Sequence, residues 1–305
     1  MSGAPEPPAP PGPVDAMPPD GPLPADGLPP LREVIRRHGL AAKKSLGQNF
    51  ILDLNLTAKI ARLARPLAGR TVVEVGPGPG GLTRGLIAEG AARVVAVERD
   101  ARCIAALGEI AARFPGRLEV TAGDALDTDW PALVGADSQP AMIIANLPYG
   151  IATKLLVGWL ESEPWPPWFD RMALMFQREV ADRIVAEPGT KAYGRLAVIS
   201  QWRCEASIAL TLKPDVFTPP PKVDSAVVLF RPRPVPLPQC NVLTLGRVTA
   251  AAFGQRRKML RQSLKPLTPF VEVLCDRAGI RSDVRGETLD VAAFARLAAL
   301  LDGPV

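Results

Sequence analysis

The pattern of hydrophobic and polar positions predicts a central sheet flanked by helices. From residue 71 onward, short apolar runs typical of buried strands alternate with stretches of helical periodicity. The predicted strands of this part are Thr71–Val75, Arg93–Val97, Leu118–Thr121, Ala141–Ala145 and Met172–Phe176. Strands that alternate with helices form parallel sheets covered on both faces, so the predicted fold class is α/β.

The later part of the chain has a different pattern. Ala206–Leu212 and Ser225–Phe230 have the composition of strands but no helix between them, which predicts an antiparallel pair at the sheet edge. The Pro-rich stretch 231–238 interrupts both patterns and is typical of a linker. We therefore expect an α/β domain over residues 31–236 and a small domain of short amphipathic helices over residues 237–305.

Composition separates the N-terminal segment from the rest. Residues 1–30 contain 12 of the 34 prolines, four acidic side chains and no Lys or Arg. Such a segment offers too little apolar area to offset the entropy of ordering, so we expect residues 1–30 to be disordered. It has neither the apolar core of a secretory signal nor the arginines of a transit peptide.

The remaining residues are basic and contain few groups for metal or nucleophilic chemistry. The chain carries a formal charge of +5 and residues 1–30 carry −4, so residues 31–305 carry +9, which suits a polyanionic partner. No apolar run approaches the roughly 18 residues of a membrane span. The widely spaced cysteines are typical of reduced thiols in a cytoplasmic protein. His38 is the only histidine, so we expect no metal cofactor and no Ser-His triad.

A glycine-rich turn follows the first predicted strand of the sheet. Gly76-x-Gly78-x-x-Gly81 lies between that strand and a predicted helix, and Glu98 ends the next strand 22 positions after Gly76. The glycines allow close approach of a ligand, and an acid at that distance accepts from ribose hydroxyls in doubly wound nucleotide sites. This stretch alone fits NAD, FAD or S-adenosyl-L-methionine, or a turn that binds no ligand.

Three features favour S-adenosylmethionine as the cofactor. Glu74 is a charge inside an apolar strand, which is unexpected unless it faces the site. Asp124 follows the third strand, where it can accept from an adenine amine. The antiparallel pair distinguishes the Rossmann-like sheet of class I methyltransferases from the common dehydrogenase sheet, a point that rests on analogy of folds.

The stretch Asn146-Leu-Pro-Tyr149 follows the fourth strand, at the edge where open α/β sheets bind their ligands. Methyl transfer to an adenine amine requires acceptors for the NH₂ hydrogens, because the nitrogen lone pair is delocalised into the ring. The Asn146 side-chain oxygen and a main-chain carbonyl near Leu147 or Pro148 can supply them. Pro148 fixes the backbone, and the Tyr149 ring can stack on an extruded base. An ordinary strand-to-loop turn is the alternative.

Several motifs together resemble the ribosomal RNA adenine N6-dimethyltransferases, specifically the bacterial small-subunit enzymes. The similarity runs from about Lys43 to the C-terminus and includes the glycine motif Val73–Thr83 and the motif Asn146–Tyr149. The other matching stretches are Lys44–Ile51, Gln177–Val180, Ala192–Leu196, Phe217–Ser225 and Phe253–Lys258.

The resemblance implies a set of ligand-binding residues. The methyl donor would contact Asn49, Ile51, Gly76, Glu98, Asp124 and Asn146, and Phe217 would join Tyr149 in holding the target adenine. The implied substrate is 16S rRNA in the immature 30S subunit, where two adjacent adenosines of the 3′-terminal hairpin loop each receive two methyl groups. Ile51 and Gly150 depart from the family pattern, which usually has Leu at the first position and Asn or His at the second.

A basic cluster opens the predicted helical domain. Its members are Arg256, Arg257, Lys258, Arg261 and Lys265. Phe253, Leu260 and Leu264 are spaced to give the same helix an apolar side. We expect the cluster to contact rRNA phosphates, with a solvated charged face as the alternative.

Three other functions remain open at this point. A large-subunit rRNA methylase or a non-catalytic ribosome-binding factor could have the same fold, and a dehydrogenase fits the glycine turn taken alone. We expect a monomeric protein without a membrane partner.

Overall fold

The computed structural model describes residues 26–42, 47–135, 139–236 and 238–303. The strands are β1 (Phe50–Ile51), β2 (Thr71–Val75), β3 (Arg93–Glu98), β4 (Leu118–Ala122), β5 (Ala141–Ala145), β6 (Phe169–Gln177), β7 (Cys204–Leu212), β8 (Phe217–Thr218) and β9 (Ser225–Pro232). The helices are α1 (Leu31–Arg37), α2 (Leu54–Arg62), α3 (Gly81–Ala88), α4 (Ala101–Arg113), α5 (Trp130–Val134), α6 (Tyr149–Glu161), α7 (Arg178–Ile184), α8 (Arg195–Arg203), α9 (Val242–Gly254), α10 (Leu260–Ser263), α11 (Val271–Arg277) and α12 (Val291–Asp302). Among the helices of these ranges, none has the length and apolar character that crossing a membrane requires.

A mixed sheet has the strand order β4-β3-β2-β5-β6-β9-β7. Strands β2 to β6 of this sheet pair in parallel, whereas β9 runs antiparallel to both β6 and β7. The predicted α/β class is therefore confirmed, and so is the antiparallel pair, with β7 as the edge strand. The strand order reverses between β2 and β5, which is the switch point where sheets of this type bind ligands.

Alternation along the strands divides the apolar residues between two cores. Val73 and Ile143 face a core that includes α5, α6 and α7, while Val72 and Ile144 face a core that includes α2, α3 and α4. Burial on both faces explains why these strands read as continuous apolar runs. Glu74 shares the face of Val72, and its side chain accordingly meets α3.

Helix starts follow the expected capping chemistry. Asp100 caps α4, as predicted, by accepting a hydrogen bond from the Arg102 main-chain nitrogen at 3.2 Å. Asp53 caps α2 in the same way by accepting from the Asn55 nitrogen at 2.8 Å. The first cap fixes the chain where it leaves β3 at the ligand-binding edge of the sheet, and the second fixes it just after β1.

The disorder predicted for residues 1–30 is wrong for its last five residues, 26–30. Residues 1–25 lie outside the described residues, but Asp26 forms a bidentate ion pair with Arg84 at 2.5 and 2.7 Å. Arg84 lies in α3 with only 5% of its surface exposed, and it also donates to the Pro29 carbonyl at 2.8 Å. A buried guanidinium needs a counter-charge, so residues 26–30 are packed against the α/β part of the protein.

The C-terminal helices share a core with part of the preceding sequence. Tyr193, Val198 and Trp202 lie in the same apolar cluster as Leu245 and Phe294. Helix α8, which the sequence pattern did not predict, thus joins the helical part to the sheet. The boundary at residue 237 stays a prediction.

Candidate active site

A cavity of about 360 Å³ opens at the carboxyl ends of β2, β3, β4 and β5. This volume is within the range of small-molecule sites, and it lies at the switch point of the sheet. The lining residues are 47–51, Thr57, Ile60, 74–79, 81–82, 97–99, 123–125 and 146–151. The cavity thus collects every predicted donor-binding residue in one place.

The glycine turn forms one wall of the cavity with backbone atoms. Gly76, Gly78 and Gly80 have φ angles of +64°, +58° and +86°, the left-handed region that side chains disfavour. A Cβ on Gly78 would lie 2.9 Å from the Phe50 ring, so only glycine permits this approach. The turn is therefore shaped for contact with the segment that contains Phe50 as well as for a ligand.

Glu98 holds the turn from the neighbouring strand. Its Oε2 accepts from the Gly78 nitrogen at 2.9 Å and its Oε1 accepts from the Asp100 nitrogen at 2.8 Å. A carboxylate has about four acceptor positions, so two remain for ribose hydroxyls. The predicted role of Glu98 fits this arrangement.

Glu74 lies behind the turn and is almost fully buried. Its Oε2 accepts from the Thr83 hydroxyl at 2.6 Å, and only 1% of the residue is exposed. Burial, together with the nearby charge of Glu98, raises the pKa of Glu74 from 4.5 to about 8, although the Thr83 hydrogen bond opposes the shift. Glu74 borders the cavity, as predicted, but its carboxyl is mostly protonated at neutral pH and so does not carry the charge that the sequence pattern indicated.

Asp124 marks the far end of the cavity. Its Oδ1 accepts from the Leu126 nitrogen at 3.0 Å, and its Oδ2 lies 3.3 Å from the Arg99 guanidinium. The first bond is a local turn that fixes the side chain at the end of β4. A free acceptor position on each oxygen remains available for an adenine amine.

The N-terminal strap, residues 47–51, crosses the open side of the cavity. The main-chain carbonyl of Asn49 accepts from the Asn146 side chain at 3.0 Å, and Gln48 donates to Asp100 at 3.3 Å. Ile51 pairs with Phe217 in the two-stranded sheet of β1 and β8. The strap therefore contacts Asn146, the residue that caps α4 and the matched stretch Phe217–Ser225.

The orientation of Asn146 follows from its partner. A carbonyl oxygen can only accept, so the amide nitrogen of Asn146 must face Asn49 and the Oδ1 atom remains free to accept. The Pro148 carbonyl accepts from the nitrogens of Ile151 and Ala152 at the start of α6. Of the two predicted main-chain acceptors, Leu147 is thus the one left for a substrate amine.

Tyr149 and Gly150 begin helix α6, not a loop. The Tyr149 hydroxyl lies 2.6 Å from the Ser225 hydroxyl, and burial raises the pKa of the phenol. A Cβ on Gly150 would meet nothing within 4 Å, so the helix would accept the family's usual side chains there. A larger side chain at position 150 would therefore meet no steric obstacle beside Tyr149.

Phe217 lies outside the cavity lining. It is 2% exposed and belongs to the apolar core with Ile51 and Leu212. In this conformation its ring supports the strap and does not face a base. The predicted contact of Phe217 with adenine stays a prediction, and it requires the ring to become accessible.

The basic cluster is not a continuous helix, so that prediction is wrong. Helix α9 ends at Gly254, residues 255–257 form a turn, Met259 makes an isolated antiparallel bridge with Arg285, and α10 begins only at Leu260. The chain turns because the main-chain nitrogens of Leu260 and Arg261 donate to Val284 and Ser282 at 2.8 and 2.9 Å. Leu260 and Leu264 still face the core, which explains their apolar spacing.

Arg256 has a role that the charge pattern did not indicate. Its guanidinium pairs with Glu287 at 2.6 Å and donates to the carbonyls of Tyr193 and Thr190 at 3.1 and 3.0 Å. These contacts tie the turn to the loop before α8. The exposed members, Arg257, Lys258, Arg261 and Lys265, remain available to a phosphate.

Two residues that hold the site were not predicted as functional. Gln48 fixes the strap to Asp100, and Ser225 holds the Tyr149 hydroxyl. Both lie inside stretches that the resemblance quotes, but hydrogen bonds between distant segments leave no local pattern. Within the described ranges, no group of three or more His, Cys, Asp or Glu is placed to hold a metal ion.

The fold and the cavity define the class of protein. A parallel sheet with a glycine turn after β2, acids after β3 and β4, and an antiparallel last strand pair is the Rossmann-like architecture of class I S-adenosylmethionine-dependent methyltransferases. Two solved structures share it. A dimethyladenosine transferase from Plasmodium falciparum superposes with a TM-score of 0.69 at 26% identity, covering 80% of this chain and 94% of that one. The 23S rRNA methyltransferase ErmE gives a TM-score of 0.64 at 28% identity, covering 84% and 100%.

The chain belongs to the ribosomal RNA adenine dimethylase family, whose model matches residues 39–302. It is 61% identical over 270 residues to the ribosomal RNA small subunit methyltransferase A of Xanthobacter autotrophicus, covering 88% of this chain and 93% of the relative. The protein of that name in Mesorhizobium japonicum is 62% identical over 272 residues, covering 88% and 96%. The predicted family, enzyme class and methyl donor are thereby confirmed, and the dehydrogenase alternative is wrong.

Proposed function

We propose that this protein transfers methyl groups from S-adenosylmethionine to N6 of two adjacent adenosines in the 3′-terminal hairpin loop of 16S rRNA. The observation that carries the proposal is the hydrogen bond from the Asn146 amide nitrogen to the Asn49 carbonyl at 3.0 Å. This bond leaves the Oδ1 of Asn146 free to accept. The Leu147 carbonyl is the second acceptor, because the Pro148 carbonyl already accepts from the nitrogens of Ile151 and Ala152. Two acceptors at this edge match the two hydrogens of an adenine amine.

The cavity residues fit the methyl donor by their chemistry. Glu98 offers free acceptor positions for ribose hydroxyls, Asp124 offers one for the adenine amine, and Gly76 and Gly78 allow close backbone approach. The buried Glu98 side chain places carboxylate oxygens beside the cavity, which favours a positively charged ligand, whereas the protonated Glu74 contributes no charge. S-adenosylmethionine supplies a methyl group activated by its sulfonium charge.

The protein's part in the transfer is to position and polarise the amine. Hydrogen bonds from the N6 hydrogens to Asn146 and Leu147 favour a tetrahedral nitrogen whose lone pair points at the methyl carbon. The bond between N6 and the methyl carbon would form as the bond between sulfur and that carbon breaks. The methylated amine, which then carries the positive charge, would lose a proton to solvent. No base is needed before the transfer. Tyr149 does not act as one, because its raised pKa keeps the phenol protonated.

The target RNA is proposed from the relatives and from the basic surface. Relatives named small subunit methyltransferase A are about 60% identical over most of the chain, whereas ErmE, which is named for 23S rRNA, is 28% identical. This difference supports 16S rRNA, and the immature 30S subunit as its carrier. A monomer acting in the cytoplasm, where such subunits are assembled, fits the same proposal.

Arg257 and Arg261 test the RNA surface. Both are exposed, and each phosphate contact contributes about one unit to the slope of log affinity against log salt. We expect Arg257→Ala with Arg261→Ala to weaken binding to 16S rRNA and to reduce that slope by about two units. The matched control is Arg32→Ala with Arg36→Ala, an exposed pair of the same spacing on α1. Equal slopes for the two double variants would refute the assignment.

The decisive experiment maps methylated positions. Immature 30S subunits and, separately, 23S rRNA are incubated with labelled S-adenosylmethionine, and the modified adenines are located by sequencing. We expect two adjacent dimethyladenosines near the 3′ end of 16S rRNA. Labelling of 23S rRNA alone would favour the large-subunit alternative, and labelling of neither, with the donor bound, would favour the non-catalytic one. Asn146→Ala should abolish transfer and leave binding to 16S rRNA largely intact.

A further inference from the structure

The Tyr149 side chain is held at both ends. Its main chain follows Pro148, which caps α6 with a φ of −58°, and its hydroxyl lies 2.6 Å from the Ser225 hydroxyl. The hydroxyl oxygen lies on the long axis of the ring, so its position fixes χ1 and the direction of that axis. Because a phenol O–H lies in the plane of the ring, its hydrogen bond also favours one setting of χ2 and hence one ring plane. The rest of the ring borders the cavity beside Asn146.

Ser225 is unusually well suited to act as the fixed end. It is fully buried, with 0% of its surface exposed, and it is the first residue of β9. On one side it pairs with Gln177 of β6, and on the other with Leu212 of β7. Its hydroxyl is therefore positioned by three hydrogen-bonded strands and not by a loop.

The stretch Phe217–Ser225 thereby gains a physical explanation. Its first residue pairs with Ile51 and supports the strap, and its last residue binds the Tyr149 hydroxyl. Between them, the Asp224 carboxylate pairs with the Lys213 amine at 2.7 Å, and the Asp224 main-chain carbonyl accepts from the Arg178 main-chain nitrogen at 2.9 Å. One short segment thus connects the two features that border the base side of the cavity.

We propose that Ser225 is a positioning residue, which acts through Tyr149 to fix the aromatic plane against which the target adenine stacks. This inference rests on the proposed function, because it assumes that the base enters beside Tyr149. The hydroxyl contact has no direct part in the chemistry. Its contribution is to keep the ring in the orientation where the amine meets Asn146.

The test compares Ser225→Ala, Tyr149→Phe and the double variant on immature 30S subunits. Each single change removes one side of the same hydrogen bond and keeps the ring. We expect kcat to fall roughly tenfold in each, with little change in donor affinity measured by calorimetry. Because both act through one bond, the double variant should be no slower than either single variant.

Ser200→Ala is the matched control. Ser200 is also 0% exposed, lies in α8, and its hydroxyl has no hydrogen-bond partner among the described residues. It should keep the wild-type kcat. The proposal is overturned if Ser225→Ala keeps wild-type kcat, or if the two single effects multiply in the double variant. It is also overturned if Ser225→Ala lowers only the melting temperature.

The outcome separates this proposal from the proposed function. Wild-type enzyme that dimethylates 16S rRNA upholds the function whatever the variants do. Wild-type enzyme that methylates a different rRNA contradicts the function, and the same three variants then decide the role of Ser225 on that RNA.

Discussion

The buried Glu74 leads to a prediction about how the free energy of unfolding depends on pH, and both its sign and its size follow from the structure. Burial and the neighbouring Glu98 raise the pKa of its carboxyl from 4.5 in the unfolded chain to about 8 in the native one. At pH values between these two pKa values, the native protein therefore keeps a proton on Glu74 that the unfolded chain releases. Stability falls as pH rises wherever the native state binds more protons, so this group lowers the free energy of unfolding as pH increases.

The size of the change in the free energy of unfolding follows because the native and unfolded states differ by one bound proton. Between about pH 5 and pH 7 the slope approaches ~1.4 kcal/mol per pH unit, or ~2.7 kcal/mol over two units. Glu74→Gln keeps the shape and a hydrogen-bond acceptor for Thr83 but does not titrate. We expect the variant to gain stability relative to the wild type by about this amount as pH rises across the interval.

The assay is equilibrium urea unfolding of both proteins at several pH values between 5 and 8. Only the difference between the two curves is interpreted, because other groups titrate in both proteins. Glu161→Gln, at the exposed end of α6, is a control that should retain the wild-type profile. A pH-independent difference between wild type and Glu74→Gln would refute the reasoning, and a difference of opposite sign would mean that the pKa is lowered.

Two further substitutions test the packing around the cavity. Asp26→Ala leaves the buried Arg84 guanidinium without its carboxylate and should cost about 3 kcal/mol, measured as a fall in melting temperature. Asp182→Ala, which breaks an exposed helical ion pair, should cost less than about 0.5 kcal/mol, and equal losses would contradict the assignment. Gly78→Ala imposes a left-handed φ on alanine and a 2.9 Å contact with Phe50, so donor affinity should fall; unchanged affinity in calorimetry would contradict this.

The sheet was predictable because its signals are local. Thr71–Val75 and Ala141–Ala145 are apolar runs that end in glycine or asparagine, and their predicted bounds agree with the structure. The two-residue strands β1 and β8 were not predicted. Their pairing joins Ile51 to Phe217 across more than half of the chain, and two residues are too few to show a period. A contact of this kind is specified by the packing of the whole fold.

The site was predictable in its parts but not in how the parts are fixed. Glu98, Asp124 and Asn146 follow successive strands, so the parallel sheet must bring them to one edge, and this placement is confirmed. The carbonyl of Asn49 that orients Asn146 is a backbone atom, which no residue pattern can indicate.

Charge patterns have a related limit, as Arg256 demonstrates. Five basic residues within ten positions predict a surface for a polyanion, yet the pattern does not distinguish a side chain that faces solvent from one that holds two segments together. Arg256 donates to the carbonyls of Thr190 and Tyr193 and pairs with Glu287, so its charge is already satisfied within the chain. Its loss would loosen the turn that presents Arg257. A drop in RNA affinity on mutation of Arg256 would therefore report the shape of the surface, whereas the salt slope would stay near that of the wild type.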